Sequence, residues 1–164
     1  MKPRRHVPSK AALVARLPRW LRPKLDPSQT LDLALVHTTN FDLIRTGQAD
    51  EEVLFQWLGG TLTFSAIATM LGLGEPEMAQ QRDLALAVLA RHTRTGRAVF
   101  TGPELQLARD GIDVMDALAR MVDRPTACRA ADWSEAFVTA LLAQPPELRT
   151  ALLTHGIADQ PAMA

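Results

Sequence analysis

Apolar residues recur every three or four positions through most of the chain after residue 25. The clearest run lies between Asp50 and Gly72, and its spacing places the apolar residues on one continuous helical face. This face carries Val53, Trp57, Gly60, Phe64, Ile67 and Leu71, widened by Leu54, Leu58 and Leu62. We expect this helix to be buried. The Gly59-Gly60 pair in its middle costs about 1 kcal/mol per glycine relative to alanine, which favours a close helix crossing or a kink over a ligand contact.

Capping residues and glycines divide the rest of the pattern into successive helices. Asp26 or Ser28 can cap a first helix that reaches Arg45, and Asp50 opens the second. A third is predicted over Glu75–Thr95, with glycines at positions 47, 72 and 96 as the stop signals.

The second half of the chain contains two capping signals. The T-G-P-E stretch at 101–104 is a capping box with an early proline, and it opens a fourth helix predicted to run to about Arg124. The D-W-S-E stretch at 132–135 predicts a fifth helix through Ala143, and prolines at 145 and 146 precede a last short helix to His155.

No strand signal competes with these helices. The chain has no tyrosine, and no Asn-Gly or Asp-Gly turn separates alternating apolar runs. At 164 residues, one domain is the default. The sequence therefore predicts an all-α, single-domain bundle of about five to six helices at residues 28–156, followed by a disordered tail at 157–164.

Charge divides the chain into a basic arm and an acidic body. Residues 1–24 contain eight basic residues and no acidic one, whereas the remaining 140 contain ten basic and 18 acidic residues and carry a formal charge of −8. Five prolines within the first 27 residues disfavour a long helix, so we expect residues 1–27 to form a flexible arm with at most a short helix at 9–17. The candidate electrostatic contacts are Arg4, Arg5, Lys10, Arg16, Arg19, Arg22 and Lys24.

Apolar residues alternate with the basic ones in this arm. Such a mixture suits a phosphate backbone, an anionic membrane or an acidic protein face, although terminal basic runs are also often only solvated tails. We expect the arm to be dispensable for folding; the alternative is that Leu13, Leu17 and Trp20 dock on the body.

Catalytic and metal-binding patterns are not found in the sequence. It contains no nucleophile elbow, phosphate loop or dinucleotide-binding glycine pattern, and its four histidines and one cysteine lack zinc-ligand spacing. Cys128 is expected to be a small buried hydrophobe, and the aspartates at 110, 113 and 116 a solvated acidic side. No apolar window approaches a secretory signal or a membrane span. We therefore expect a cytoplasmic, non-enzymatic protein without a cofactor.

Residues 64–82 offer an alternative function. Ala68, a glycine four residues later and the apolar Met78 resemble the core of a DNA-binding helix-turn-helix, in which Gln80, Gln81 and Arg82 would contact bases. Two glutamates in the first turn of the second helix disfavour an approach to phosphates. A plain helical hairpin explains the same glycines.

A resemblance covers about the middle half of the chain. The I-R-T-G stretch at 44–47, the M-L-G-L-G stretch at 70–74 and the R-A-V-F-T-G-P-E-L stretch at 97–105 resemble a group of small uncharacterised helical proteins encoded on proteobacterial plasmids, integrative elements and prophages. The resemblance implies an accessory role, such as regulation, partner inhibition or counter-defence. It implies no catalytic residue, and the arm and residues 132–155 lie outside it.

Two functions follow from these observations. The first is a non-enzymatic accessory protein of a mobile genetic element whose helical body binds another protein, with the basic arm adding electrostatic attraction. The second is a nucleic-acid-binding regulator that uses the arm, with or without the helix-turn-helix. The acidic body favours the first because it disfavours a broad nucleic-acid footprint.

Overall fold

Six α-helices account for most of residues 23–155, the part of the chain that the computed structural model describes. They are α1 (Pro27–Arg45), α2 (Glu51–Leu71), α3 (Glu75–Thr95), α4 (Gly102–Met121), α5 (Arg124–Leu142) and α6 (Pro146–His155). Within that range no strand is present, which confirms the predicted all-α bundle. The predicted tail and all of the predicted arm before residue 23 lie outside the described residues.

Helix α2 is the centre of the bundle and contacts α1, α3, α4 and α5. Its predicted apolar face is buried: Phe64 and Ile67 are fully inaccessible, and Trp57 is 2% exposed. Contrary to the expectation from the sequence, α2 is long and apolar enough to cross a membrane. However, 61% of its apolar window is buried inside the protein, and burial on several sides explains the same composition without a membrane.

The core consists of two clusters that follow α2 along its length. The first half of α2 packs with the second half of α3, and the second half of α2 packs with Met78 at the start of α3. Helix α3 therefore runs back along α2 as an antiparallel hairpin. The turn between them uses Gly72 and Gly74, whose φ angles of 68° and 72° favour glycine.

The predicted starts of α1, α2 and α4 are confirmed. Asp26, rather than Ser28, caps α1 and forms a capping box with Gln29. At the start of α4, Glu104 accepts a hydrogen bond of 2.8 Å from the backbone N–H of Thr101. Glu104 also pairs with Arg91 of α3, which donates to the carbonyl of Val99 at 2.6 Å. Although burial disfavours its charged form, these donors hold the pKa of Glu104 below its usual value.

The boundary between α4 and α5 differs from the prediction. Helix α4 ends at Met121 instead of about Arg124, and α5 begins at Arg124, two turns before the predicted D-W-S-E start. The side chain of Asp123 accepts a hydrogen bond of 2.9 Å from the backbone N–H of Thr126, and Pro125 occupies an early helical position. Asp132 is an exposed residue inside α5.

The C-terminal end of the predicted arm belongs to the body. The carbonyl of Pro23 accepts a hydrogen bond of 2.9 Å from the backbone N–H of Arg124, and Lys24 forms an isolated antiparallel bridge with Asp123. Pro27 is the first residue of α1. The N-terminal segment therefore joins the bundle beside the start of α5.

Replacing Asp123 tests the revised helix start. We expect Asp123→Ala to lower the free energy of unfolding by about 1–2 kcal/mol, because it removes the N-cap of α5. Asp132→Ala, a matched change in the middle of the same helix, should stay within about 0.5 kcal/mol of the parent. Urea denaturation followed by circular dichroism measures both, and a larger loss for Asp132→Ala than for Asp123→Ala would contradict this boundary.

Candidate functional site

A groove of about 840 Å³ lies between α1, α2 and α5, with α6 at one end. Most of its lining surface is apolar, and its polar groups lie on the floor and at the rim. The apolar lining comprises Leu33, Val36, Phe55, Gly59, Gly60, Ala131, Val138 and Leu142. The polar lining comprises His37, Glu51, Glu52, Gln56, Thr63, Ser134, Glu135, Thr139 and Arg149.

The floor of the groove is set by the close approach of α1 to α2. A Cβ atom at Gly60 would lie 2.2 Å from the imidazole of His37, far inside van der Waals contact. The same imidazole packs edge-on against Phe64, with ring centroids 5.1 Å apart. On the α5 side, a Cβ atom at Gly59 would lie 3.5 Å from Val138, an ordinary contact. The close helix crossing predicted from the glycine pair is therefore confirmed at Gly60.

A pair of buried hydroxyl groups joins α2 to α5 beneath the groove. The side-chain oxygens of Thr63 and Ser134 lie 2.6 Å apart. Each hydroxyl is also within hydrogen-bonding distance of a carbonyl of its own helix, at 3.0 Å from Gly59 and 3.1 Å from Ala131. These hydrogen bonds satisfy polar groups that would otherwise be costly to bury.

The rim of the groove is acidic. Glu51, Glu52 and Glu135 are exposed there, and the one basic lining residue, Arg149, lies 3.1 Å from the carboxylate of Glu51. The guanidinium of Arg149 also lies 5.6 Å from the ring centre of Phe55. Three carboxylates against one guanidinium leave a net negative rim, which favours basic ligands.

His37 is neutral inside the folded protein. It is 3% exposed, and burial lowers its pKa to about 4. Among the residues that the structure describes, no group accepts from or donates to its Nδ1 atom; the same holds for Nδ2 of Asn40, one turn further along α1. The floor thus adds no charge at neutral pH.

Exposed apolar side chains extend the groove onto its rim. Val36 of α1 and Leu142 of α5 line the groove and are 51% and 45% exposed. Leu31 and Leu35 are also exposed, but helical periodicity places them on the side of α1 away from the lining residues Leu33 and Val36. The exposed apolar surface at the rim therefore comes from Val36 and Leu142.

The three predicted base-contacting residues do not form one surface. Gln80 is exposed and Arg82 is half-buried beside Asp83. Gln81 is 2% exposed and donates a hydrogen bond of 2.8 Å to the carbonyl of Leu107 in α4. In this fold Gln81 therefore links α3 to α4 and is not available to a DNA groove.

Other candidate residues also lie at the surface. Cys128 is exposed, so the expectation of a small buried hydrophobe is wrong. Asp110 and Asp113 are exposed and Asp116 pairs with Arg120, as expected for a solvated acidic side. Within residues 23–155, no group of three histidine, cysteine or acidic side chains could hold a metal ion. Lys24 is exposed, whereas the remaining predicted electrostatic contacts lie outside the described residues.

Sequence reasoning identified the glycine pair but missed the groove around it. The hydroxyls of Thr63 and Ser134 were a usable signal, because polar residues on buried helical faces need a partner. However, Ser134 belongs to the D-W-S-E stretch, which has the local form of a cap. Its partner lies 71 positions away, and no local pattern specifies that pairing.

The close crossing can be tested by adding one methyl group. Gly60→Ala should lower the free energy of unfolding by about 1–2 kcal/mol, since overpacking at His37 outweighs the roughly 1 kcal/mol gain in helix propensity. Gly102→Ala is the control, because its Cβ would meet no atom within 4 Å. We expect it to be neutral or stabilising. Urea denaturation of a double mutant that also carries His37→Ala should show a smaller cost for Gly60→Ala, and an unchanged cost would contradict the crossing.

Burial of His37 predicts a pH dependence of stability. Because its folded pKa of about 4 lies below the unfolded value of about 6.5, the unfolded state binds the proton more readily, and stability falls as the pH falls through this range. Between pH 7.5 and 5, the parent protein should lose about 2 kcal/mol more unfolding free energy than His37→Gln. Urea denaturation at both pH values measures the difference, and parallel losses would show that His37 is not buried as a neutral ring.

Comparisons of the chain with models of protein families, with curated proteins and with solved structures find no match. The groove, its acidic rim and the charge division of the chain are therefore the observations from which a function can be argued.

Proposed function

We propose that this protein is a non-enzymatic interaction protein that binds a basic, amphipathic helix of a partner protein in the groove between α1, α2 and α5. The observation that carries this proposal is the combination of an apolar groove of about 840 Å³ with an acidic rim. In helix-in-groove recognition, apolar side chains of the helix provide most of the affinity, and the charges beside them provide selectivity.

The dimensions of the groove suit a short helix. Its α5 wall extends from Ala131 to Leu142, roughly 16 Å at the rise of an α-helix, which is the length of three helical turns. A helix of that length presents about three or four apolar side chains on one face. These would contact Phe55 and Val138, while basic side chains beside them would lie near Glu52 and Glu135.

The polar groups of the groove favour binding over catalysis. The hydroxyls of Thr63 and Ser134 are hydrogen-bonded to each other and close to carbonyls of their own helices. The imidazole of His37 is buried against Gly60 and Phe64. An accessory role in the cytoplasm, by regulation or inhibition of the partner, agrees with the resemblance to mobile-element proteins and belongs to this proposal.

A pair of designed peptides tests the proposal. The first is a fluorescein-labelled amphipathic helix of about four turns with leucine on one face and lysine on the other, and the second replaces each lysine by glutamate. Fluorescence anisotropy with the full chain should give an affinity at least about tenfold higher for the basic peptide, since several rim contacts of a few tenths of a kcal/mol add to about 1.4 kcal/mol.

Variants of the rim locate the binding site. Glu52→Lys with Glu135→Lys should weaken the basic peptide about tenfold, whereas Glu75→Lys with Glu77→Lys, an equal charge change at the start of α3, should change it less than about twofold. Equal binding of both peptides, or no binding of either, would contradict the proposal. Tight binding of duplex DNA that falls steeply with salt would instead support the nucleic-acid regulator.

A further inference from the structure

We infer that the chain's own basic segment, residues 10–22, occupies the groove in the free protein and must leave before the partner's helix can bind. This inference concerns the regulation of the groove, and it rests on the proposed function of that groove. Three observations carry it: where the segment joins the bundle, the length of chain available, and the match between its side chains and the groove.

The segment joins the bundle close to one end of the groove. Pro23 is fixed by the hydrogen bond from the backbone N–H of Arg124, at the first residue of α5. Ala131, where the α5 wall of the groove begins, lies seven residues further along the same helix, a distance of about 10 Å. Three or four residues of extended chain cover that distance, at about 3.3–3.6 Å each.

The remaining length is enough to follow the groove to its other end. Of the 22 residues before Pro23, about 18 remain after the gap is crossed. The groove itself is roughly 16 Å long on its α5 side, which five extended residues or eleven helical residues would span. After three or four of its residues cross the gap, the nine or ten that remain of the 10–22 segment reach from Ala131 to Leu142 in an extended form.

The side chains of the segment match the two parts of the groove. Its five larger apolar residues recur along the segment on both sides of Pro18: Leu13, Val14, Leu17, Trp20 and Leu21. Four basic residues lie among and beside them, and the whole of 1–22 contains no acidic residue. The groove has apolar walls that suit the apolar side chains of the segment, and three rim glutamates that suit its basic side chains.

Because the segment belongs to the same chain as the groove, it needs only a weak intrinsic affinity to occupy the groove most of the time. A short flexible connection gives an effective concentration of about millimolar, so a segment with an intrinsic dissociation constant of about 0.1 mM would cover the groove about nine-tenths of the time. It would then lower the apparent affinity of a competing helix about tenfold. A partner of higher affinity displaces the segment, which releases the arginines for contact with acidic surfaces of that partner.

Paramagnetic relaxation in the full-length protein tests the docking. Cys128→Ser removes the native thiol, and Thr139→Cys places a spin label on an exposed residue that lines the groove. We expect the amide signals of residues 10–22 to lose most of their intensity. A label at Asp113→Cys, on the exposed side of a helix that contributes no lining residue, should leave these signals nearly unchanged. The inference would be overturned if neither label reduced these signals, or if both labels reduced them equally.

A mixed sample and a charge variant complete the test. In the mixed sample, one protein carries the spin label and no isotope, and the other carries the isotope and no spin label. The amide signals of residues 10–22 should then keep their intensity. Loss of these signals in the mixture would indicate docking between copies and overturn the inference. Arg16→Glu with Arg19→Glu should restore the signals and raise the affinity for the basic peptide about tenfold. Unrestored signals, or binding of the peptide with the same affinity by the parent and the variant, would overturn it too.

The two proposals fail in different ways. If the basic peptide binds the parent and the Arg16→Glu, Arg19→Glu variant equally, and residues 10–22 keep their signals, the groove is an open binding site and only the inference fails. If the signals are lost in the parent and restored in the variant but neither protein binds the peptide, the segment docks in the groove and only the proposed function fails.

Discussion

The close contact between the imidazole of His37 and the backbone of Gly60 is the constraint on which the rest of the structure depends. The imidazole fills the space that a side chain at position 60 would occupy, so α1 packs on α2 through His37 at that point. Any Cβ at position 60 would have to displace this imidazole, which lies on the floor of the groove. The two glycines reduce the intrinsic stability of α2, and the contact that they permit offsets this cost through packing.

Helix α2 contributes residues both to the core and to the groove. Its buried side carries large apolar residues that pack in the core, among them Leu58 and Phe64. Where it lines the groove between α1 and α5 it contains glycines and Thr63, which are small and leave space there. The width of the groove is thus a consequence of side-chain volume along a single helix. The Thr63–Ser134 contact keeps the groove from widening by holding α5 against α2 beneath it.

The division of charge gives the groove its selectivity in the proposed function. Carboxylates at the rim attract basic chains from solution, and this attraction weakens as salt screens it. Apolar contacts on the walls are not screened, so they hold an occupant once it has arrived. The protein's own basic segment and a partner's basic helix present the same chemistry to this surface. Which of the two occupies the groove therefore depends on the effective concentration of the segment and on how well each one's apolar side chains pack.

Local signals determined most of the helices. A cap such as Asp26 or Asp50 is satisfied by hydrogen bonds within three residues, so it depends on neighbouring residues and not on the rest of the fold. The apolar period of α2 likewise predicted its burial, because a helix with apolar residues around most of its circumference needs neighbours on several sides. The glycine pair predicted a close crossing for the same reason: glycine within a helix needs a compensating contact.

Where two local signals competed, the tertiary structure decided. Asp123 and Asp132 both resemble caps, and α5 starts at the first because Pro125 follows it and because Ser134 is bonded to Thr63. Gln81 could equally have faced solvent, but packing of α3 on α4 buries it.

The sequence by itself thus determined the fold class, most helix boundaries and the separation of charge, since these depend on neighbouring residues. Only the tertiary structure decided which residues form the groove. Its walls come from helices up to about 100 positions apart in the chain, and their meeting depends on packing of the whole bundle.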